Sequence, residues 1–349
     1  MKTITIIGAG MMGSALAFPA RENGNTVRLV GTPLDDDVIA ACKETNRHPK
    51  FRRDFPAGVT FHRFPECEAL LCDTDFIICG VSSFGVDWFA DAVLPTVPDG
   101  IPVLSVTKGL QDLPDGTLLT YPDLWQRKLD ALGKTVPLCA VGGPCTSYEL
   151  VAHDHSAVAF CGKDPGTLQM LREAMRTAYY HISLSTDVVG IESAVALKNG
   201  YALGVALTVG LCRVQFGNDE LHYNSQAAVF TQAVREMSAL LRLQGCAEIE
   251  NLAVGLGDLY VTVYGGRTRQ IGILLGEGLS AEEAKQRLSG VTLESLVVAE
   301  RVGRAIRRRA EAGEIDAADF PLLLHIDEVI TKGKNAALPW DRFTFPAEK

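Results

Sequence analysis

TITIIGAGMMGSALAFPARENGNTVRLV, residues Thr3 to Val30, holds the decision about the fold. Thr3–Ile7 is β-branched and apolar without alternation, as a strand buried on both faces requires. It runs into Gly8-Ala9-Gly10-Met11-Met12-Gly13, then a small-residue helix ending near Asn23-Gly24, then a second strand over Thr26–Val30. In that context G-x-G-x-x-G signals dinucleotide binding. Gly8 serves the tight turn, and Gly10 lets backbone approach a pyrophosphate. Gly13 lets the helix pack on the strand, with the helix N-terminus facing the phosphates. The acidic residue that usually closes the second strand is missing, and Gly31-Thr32-Pro33-Leu34-Asp35 stands there instead. No arginine is present for a 2′-phosphate, and Asp35, Asp36 and Asp37 repel one. The loop at Thr32 therefore favours NAD, with NADP the alternative.

Working outward, strand and helix patterns keep alternating. Phe76–Cys79, Val103–Val106, Val136–Val141 and Ala157–Phe160 read as strands, and Phe84–Val93 and Pro165–Ala178 as helices. Such alternation predicts a parallel, doubly wound sheet whose ligand contacts sit at strand C-termini. Two loops there stand out, Thr107-Lys108-Gly109 and Gly142-Gly143-Pro144-Cys145. A lysine directly after such a strand points to ligand contact. Cys145 reads as a small residue in a tight loop, since no histidine partner is evident.

After Asp187 strand patterns vanish and helical periodicity takes over, as in Ala227–Leu243 and Ala281–Leu288. The expected domains are 1–186, an α/β dinucleotide-binding unit, and 187–349, an all-helical one. The latter opens on Val188–Val214, VVGIESAVALKNGYALGVALTVGLCRV, with Lys198 and Asn199 at its centre. An ammonium in such surroundings is costly unless paired or deprotonated, which marks Lys198 as a functional group. The stretch has the length of a membrane span, but Glu192, Lys198, Asn199 and Arg213 argue for a buried core helix. Gly255-Leu256-Gly257-Asp258 reads as a turn. Gly265-Gly266-Arg267-Thr268-Arg269 reads as an anion site, where glycines admit backbone and arginine offers a forked donor set.

The 349 residues exceed one usual core, and 47% apolar with 21% charged residues is ordinary for a globular protein. The net charge of −9 without a basic face excludes nucleic acid as a partner. Arg307-Arg308-Arg309 reads as a solvated helix face. Nine scattered cysteines without C-x-x-C suggest neither zinc nor a disulfide framework and fit a reducing cytosol. The start at Met1 enters a strand directly, so a cytoplasmic location is expected. The histidines lack metal spacing; His153 and His155 around Asp154 read as an exposed turn, and no metal is expected.

The motifs GAGMMG, TNRHPKF, VTKGL, GGPCTSYEL, STDVVGIESAVALKN, NSQAAVFTQAVREM, LAVGLGDLYVTVYGGRTRQIG and LLGEG occur in this order along most of the chain. The series resembles the NAD(P)-dependent glycerol-3-phosphate dehydrogenase family. The resemblance implies a Rossmann-type domain and an all-helical domain of the 6-phosphogluconate dehydrogenase kind, with the active site in a cleft, and a homodimer. It implies dihydroxyacetone phosphate and glycerol 3-phosphate as the small-molecule pair. Lys198 is the implied acid/base and Lys108 its partner beside substrate and cofactor. Gly143, Cys145, Asn199, Asp258, Arg267 and Thr268 fall at implied substrate positions. Met11, Met12, Ser147, Arg267 and Glu294 fall at implied dinucleotide positions, beside Gly8, Gly10, Gly13, Thr32 and Lys108. Desolvation and a second nearby cation are expected to lower the basicity of Lys198 for proton transfer.

The chain departs from the family pattern at Thr268, where asparagine is usual, at Ala194-Val195 before ALKN, at Val81-Ser82, at Glu294-Ser295, and in a lengthened turn over 216–224. These motivate an alternative, a related reductase for another phosphorylated polyol or keto sugar. A non-catalytic dinucleotide sensor is a third reading, against which the intact Lys108, Lys198 and Asp258 argue.

Overall fold

The computed structural model describes residues 1–246, 248–288 and 293–343. The chain divides into two units, Met1–Lys108 with Tyr121–Glu192, and Gly109–Thr120 with Ser193–Lys349. A single break at 186/187 differs from this in two ways: a twelve-residue segment belongs with the helical part, and the division falls inside a continuous helix.

The strands of the first unit are β1 (Thr3–Ile7), β2 (Thr26–Val30), β3 (Val59–His62), β4 (Phe76–Cys79), β5 (Val103–Ser105), β8 (Leu138–Gly142), β9 (Ser156–Gly162) and β10 (Tyr180–Ser185). They form one sheet in the order β10-β9-β8-β5-β4-β1-β2-β3. Its helices are α1 (Met11–Glu22), α2 (Asp36–Thr45), α3 (Cys67–Leu71), α4 (Val86–Ala92), α5 (Tyr121–Leu132), α6 (Ser147–Val151) and α7 (Pro165–Met175).

Alternate residues of each central strand enter different cores. Ile4, Ile6, Phe76, Ile78 and Leu104 pack with Leu16 and Phe18 of α1 and Leu168 and Leu171 of α7. Ile7, Ile77, Cys79 and Val103 pack with Phe89 of α4 and Trp125 and Leu129 of α5. Both faces are covered, which is why these strands show no polar alternation.

The sheet is parallel as the alternation predicts, with one antiparallel step. Every neighbouring pair is parallel except β8 and β9, which run antiparallel. The connection between them contains only the five-residue α6, too short to cross a sheet face as a parallel link must. Edge strands β3 and β10 carry polar, half-exposed residues and give no clear apolar pattern.

Strand order reverses between β1 and β4, and there the backbones nearly touch. Gly8 has φ +110°, and a Cβ on Gly13 would lie 2.3 Å from Gly8 O. A Cβ on Gly80, just past β4, would lie 2.7 Å from Gly13 Cα. Gly13 thus seats α1 on both strand ends, whereas a Cβ on Gly10 would meet nothing nearer than Gly80 O at 3.7 Å.

The second unit comprises α8 (Val188–Phe216, its first residues counted with the other unit), α9 (Tyr223–Leu243), α10 (Glu248–Tyr264), α11 (Gly266–Gly276), α12 (Ala281–Arg287), α13 (Glu294–Glu311) and α14 (Pro321–Lys332). Helix α8 is long and apolar enough to cross a membrane, and 89% of its most apolar window is buried. Leu197, Tyr201, Leu203 and Leu207 of α8 pack with Met237, Leu259, Ile271, Val302 and Ile326, as a helix apolar on all sides must. The expected turn Gly255–Asp258 lies inside α10 instead. Gly255 serves helix contact there: a Cβ would sit 2.9 Å from Ala194 Cβ.

The remaining strands, β6 (Leu110–Asp112) and β7 (Leu118–Thr120), make an antiparallel hairpin held to α13. Arg304 donates Nε to Asp112 Oδ2 (2.7 Å) and Nη2 to Oδ1 (2.9 Å), while Arg308 donates to Asp112 Oδ2 (3.0 Å) and Leu113 O (2.6 Å). Arg307 pairs with Asp327 and Arg309 with Glu314. The arginine run is therefore the clamp on this hairpin and on α14 rather than a solvated face, because buried Asp112 and Asp327 require counter-charges.

Gly13→Ala is expected to destabilise the protein by about 1–3 kcal/mol, since backbone must move to admit the methyl. Gly10→Ala is expected to change stability by less than about 0.5 kcal/mol while weakening NADH binding. Thermal unfolding and NADH fluorescence titration of the two variants check this contrast.

Candidate active site

In the first unit the turn between β1 and α1 is held from two sides. His48 Nδ1 accepts Lys50 N–H at 3.1 Å, which leaves Nε2 as the protonated nitrogen, donating to Ala9 O at 3.1 Å. Asp35 Oδ2 accepts from Ala9 N (3.1 Å), Thr32 N (2.8 Å) and Thr32 Oγ1 (2.8 Å). Asp35 thus ties the loop after β2 to the glycine turn. In sequence Asp35 stands out only as a charge that repels a phosphate, and His48 carries no signal of a role.

Met11 and Met12 form the half-exposed first turn of α1, whose N-cap is Gly10. Together with the open space at Gly10, this leaves backbone N–H groups and a positive helix end for a pyrophosphate, so the residues present fit a dinucleotide.

Lys108 follows β5 by three residues, and its Nζ donates to Gly143 O at 3.2 Å. Thr107 fixes the backbone before it by donating Oγ1 to Val81 O at 2.7 Å. Gly143 is buried with φ +123°, and a Cβ would lie 3.1 Å from Ala157 O. The sharp turn this permits brings the loop bearing half-buried Cys145 and Ser147 beyond the end of β8. Lys108, Gly143, Cys145 and Ser147 therefore share one corner of this unit. His153 and His155 have other work: His153 pairs with Glu22 at 3.0 Å and stacks on Tyr179, and His155 shares a hydrogen bond with His181.

In the helical unit Lys198 has only 12% of its side chain exposed. Nζ donates to Asp258 Oδ1 at 2.8 Å and to Thr262 Oγ1 at 2.7 Å, and Thr262 Oγ1 in turn donates to Asp258 O at 2.7 Å. Asp258 and Thr262 lie one turn apart on α10 and so face Lys198 together. Nothing in the sequence singles out Thr262 except its spacing of four from Asp258. The charged partner of Lys198 in this unit is Asp258, at 2.8 Å.

Asn199 follows on α8. It is buried. Arg267 and Thr268 occupy the first turn of α11 behind Gly265 and Gly266. A Cβ on either glycine would meet nothing within 4 Å, and Arg267 is exposed with no ion pair among the described residues. An open helix N-terminus carrying an arginine suits a phosphate ester. Glu294 begins α13, half-buried.

Burial holds His48 below the usual histidine value of 6.5, against its bond to Ala9. A lowered folded value means its neutral form stabilises the fold fully above 6.5, and that contribution is lost as pH falls below it. His48→Gln, which keeps a donor for Ala9, is expected to lose a few °C less than the unmodified protein on acidification from about pH 7 to about pH 5. Melting curves at the two pH values check it.

Two family models cover the chain. The NAD-dependent glycerol-3-phosphate dehydrogenase N-terminus matches residues 3–167, and the C-terminus of the same family matches 187–339. The NADP(+)-dependent glycerol-3-phosphate dehydrogenase of Archaeoglobus fulgidus is 33% identical over 82% of this chain and 83% of its own length. The glycerol-3-phosphate dehydrogenase [NAD(P)+] of Escherichia fergusonii is 27% identical over 96% and 93%. The crystal structure of glycerol-3-phosphate dehydrogenase from Coxiella burnetii shares the fold with a TM-score of 0.78, covering 98% of this chain and 97% of its own at 22% identity. With both halves matched in order, the chain belongs to the NAD-dependent glycerol-3-phosphate dehydrogenase family and is an NAD(P)-dependent oxidoreductase.

Proposed function

We propose that the protein catalyses reversible hydride transfer between NAD(P)H and dihydroxyacetone phosphate to give sn-glycerol 3-phosphate, with Lys198 as the acid/base. The observation that carries this is the buried Lys198–Asp258–Thr262 constellation, one ammonium fixed by two acceptors on one helix turn. The nicotinamide cofactor, when bound, supplies or accepts the hydride.

In the reductive direction the Lys198 ammonium donates a proton to the developing alkoxide, and Asp258 keeps the ammonium form available in buried surroundings. Asp258 also fixes the direction in which Nζ points, so little reorientation is needed as charge develops. Lys108, held at Gly143 O, adds a second cation for the ketone oxygen. Arg267 and Thr268, with the first-turn amides of α11, hold the phosphate and so orient the ketone, while Asn199 offers its amide to a substrate hydroxyl. Gly8, Gly10, Met11, Met12, Gly13, Thr32, Ser147 and Glu294 serve the dinucleotide. Asp35 beside Thr32 supports NAD over NADP, although one relative is named for NADP. A cytoplasmic homodimer belongs to the same reading and rests on the family resemblance.

Lys198→Ala is expected to lower kcat by at least about a thousandfold with NADH affinity retained. Wild-type turnover in this variant would overturn the assignment. NADH and NADPH oxidation with dihydroxyacetone phosphate then ranks the cofactors, and kcat/KM is expected to favour NADH.

Thr268 supports the second reading, because a shorter hydroxyl side chain replaces the family's asparagine in the first turn of α11. If another phosphorylated keto sugar is the better substrate, Thr268→Asn is expected to shift kcat/KM toward dihydroxyacetone phosphate. A substrate panel on both proteins decides between the two.

A further inference from the structure

Among the described residues two carboxylic acids are fully buried, Glu192 and Glu236. Their surroundings differ completely. Glu236 accepts from Tyr201 OH (3.2 Å), Gln232 Nε2 (2.8 Å), Leu322 N (2.7 Å) and Leu323 N (3.0 Å), so it caps the start of α14 and is structural. Glu192, in the first turns of α8, has neither carboxyl oxygen in a hydrogen bond among the described residues. Burying an acid without hydrogen-bond partners is unfavourable relative to an apolar side chain. Its charged neighbours lie on three other elements. Lys108 beyond β5 attracts its ionised form, Asp123 on α5 repels it, and the Cys161 thiol on β9 lies within its field.

We propose that Glu192 is a positioning residue for Lys108: protonated, it leaves the Lys108 ammonium to the substrate carbonyl, and ionised, it becomes that ammonium's counter-charge and draws it away. The proposal rests on the reading above that Lys108 acts at the substrate. Burial pushes the Glu192 carboxyl up to about 8, with Lys108 opposing and Asp123 adding to the rise. The acid is therefore neutral at neutral pH, the usual way a buried acid without hydrogen bonds persists. Ketone reduction, which benefits from a cation placed at the carbonyl oxygen, is served by the neutral form. The ionised form appears on the alkaline side.

The test is kcat for dihydroxyacetone phosphate reduction at saturating NADH, from about pH 6 to about pH 10, for the wild type and Glu192→Gln. A group titrating near 8 leaves about a tenth of its protonated form at one unit above, so wild-type kcat is expected to fall about tenfold between pH 7 and pH 9. In the glutamine variant the same ratio is expected to stay below about twofold, whatever its absolute rate. An equal fall in both proteins overturns the proposal.

Lys108→Met in the same assay separates this from its premise. Wild-type turnover there removes Lys108 from the substrate and both ideas fail together. Lost turnover with NADH binding kept, beside an unchanged fall in Glu192→Gln, sinks only the Glu192 role.

Melting temperature over the same pH range supplies a readout independent of turnover. A folded value raised above 4.5 means stability is present at low pH and lost as pH rises through about 8. The wild type is therefore expected to lose melting temperature relative to Glu192→Gln as pH rises to about 8 and to diverge no further above it, and a pH-independent difference overturns the proposal. If the amide is not accommodated, Glu192→Met, similar in length and without a titrating group, takes its place in both measurements.

Discussion

An ammonium buried in a helix of alanine, valine and leucine is tenable only with a counter-charge, and Asp258 provides it at 2.8 Å from Lys198. The same helix crossing that brings Asp258 to Lys198 is set one turn earlier by Gly255 against Ala194. Any residue larger than glycine at 255 would push α10 outward and lengthen the ion pair. Packing and chemistry are thus coupled in one contact: small residues set the interhelical distance, and that distance decides whether the lysine is a stable buried cation. Thr262 completes the arrangement by accepting a second lysine proton while returning its own to Asp258 O.

The dinucleotide unit obeys the same rule with backbone groups in place of charges. Gly8, Gly13 and Gly80 let two strand ends and a helix meet at backbone contact, which aims the start of α1 at the sheet's switch point. His48 and Asp35 then satisfy Ala9 O and Ala9 N of the turn. A loop with those groups fixed is preorganised for a pyrophosphate, because its amides are already oriented before any ligand arrives.

Buried acids sort by whether they have partners. Asp112 is held below the usual carboxylate range because Arg304 and Arg308 together outweigh its burial. Glu236 is pushed up to about 7 by burial, opposed by four donors. Glu192 has no donor to oppose its burial and rises furthest of the three. Where hydrogen bonds and ion pairs account for a buried acid, its role is architectural. Where they do not, the cost of burial is not offset by hydrogen bonds and the acid is favoured in its neutral form.

The sequence by itself determined the strand–turn–helix–strand unit at Thr3–Val30, the helical nature of the second half and the placement of Lys198 within a buried apolar helix. Each of these is a local statement of period, glycine spacing or charge in apolar surroundings, and such statements survive without knowledge of neighbours. It also supplied the ordered motifs that carry the family. What only the tertiary structure decided were pairings between distant residues. These include the antiparallel β8–β9 step, the hairpin Leu110–Thr120 clamped by Arg304 and Arg308, the helical state of Gly255–Asp258, and the contacts of Thr262, His48 and Asp35. Glycines at 255 and 257 look like a turn in sequence because glycine's local preference is for turns, and only the approach of Ala194 explains why a helix needs one there. The arginine run looked solvated for the same reason: the acids that claim it, Asp112 and Asp327, lie about 195 residues before it and 20 after. Local physics is written in neighbouring letters, whereas charge pairing and close packing depend on which distant letters the fold brings within a few ångströms.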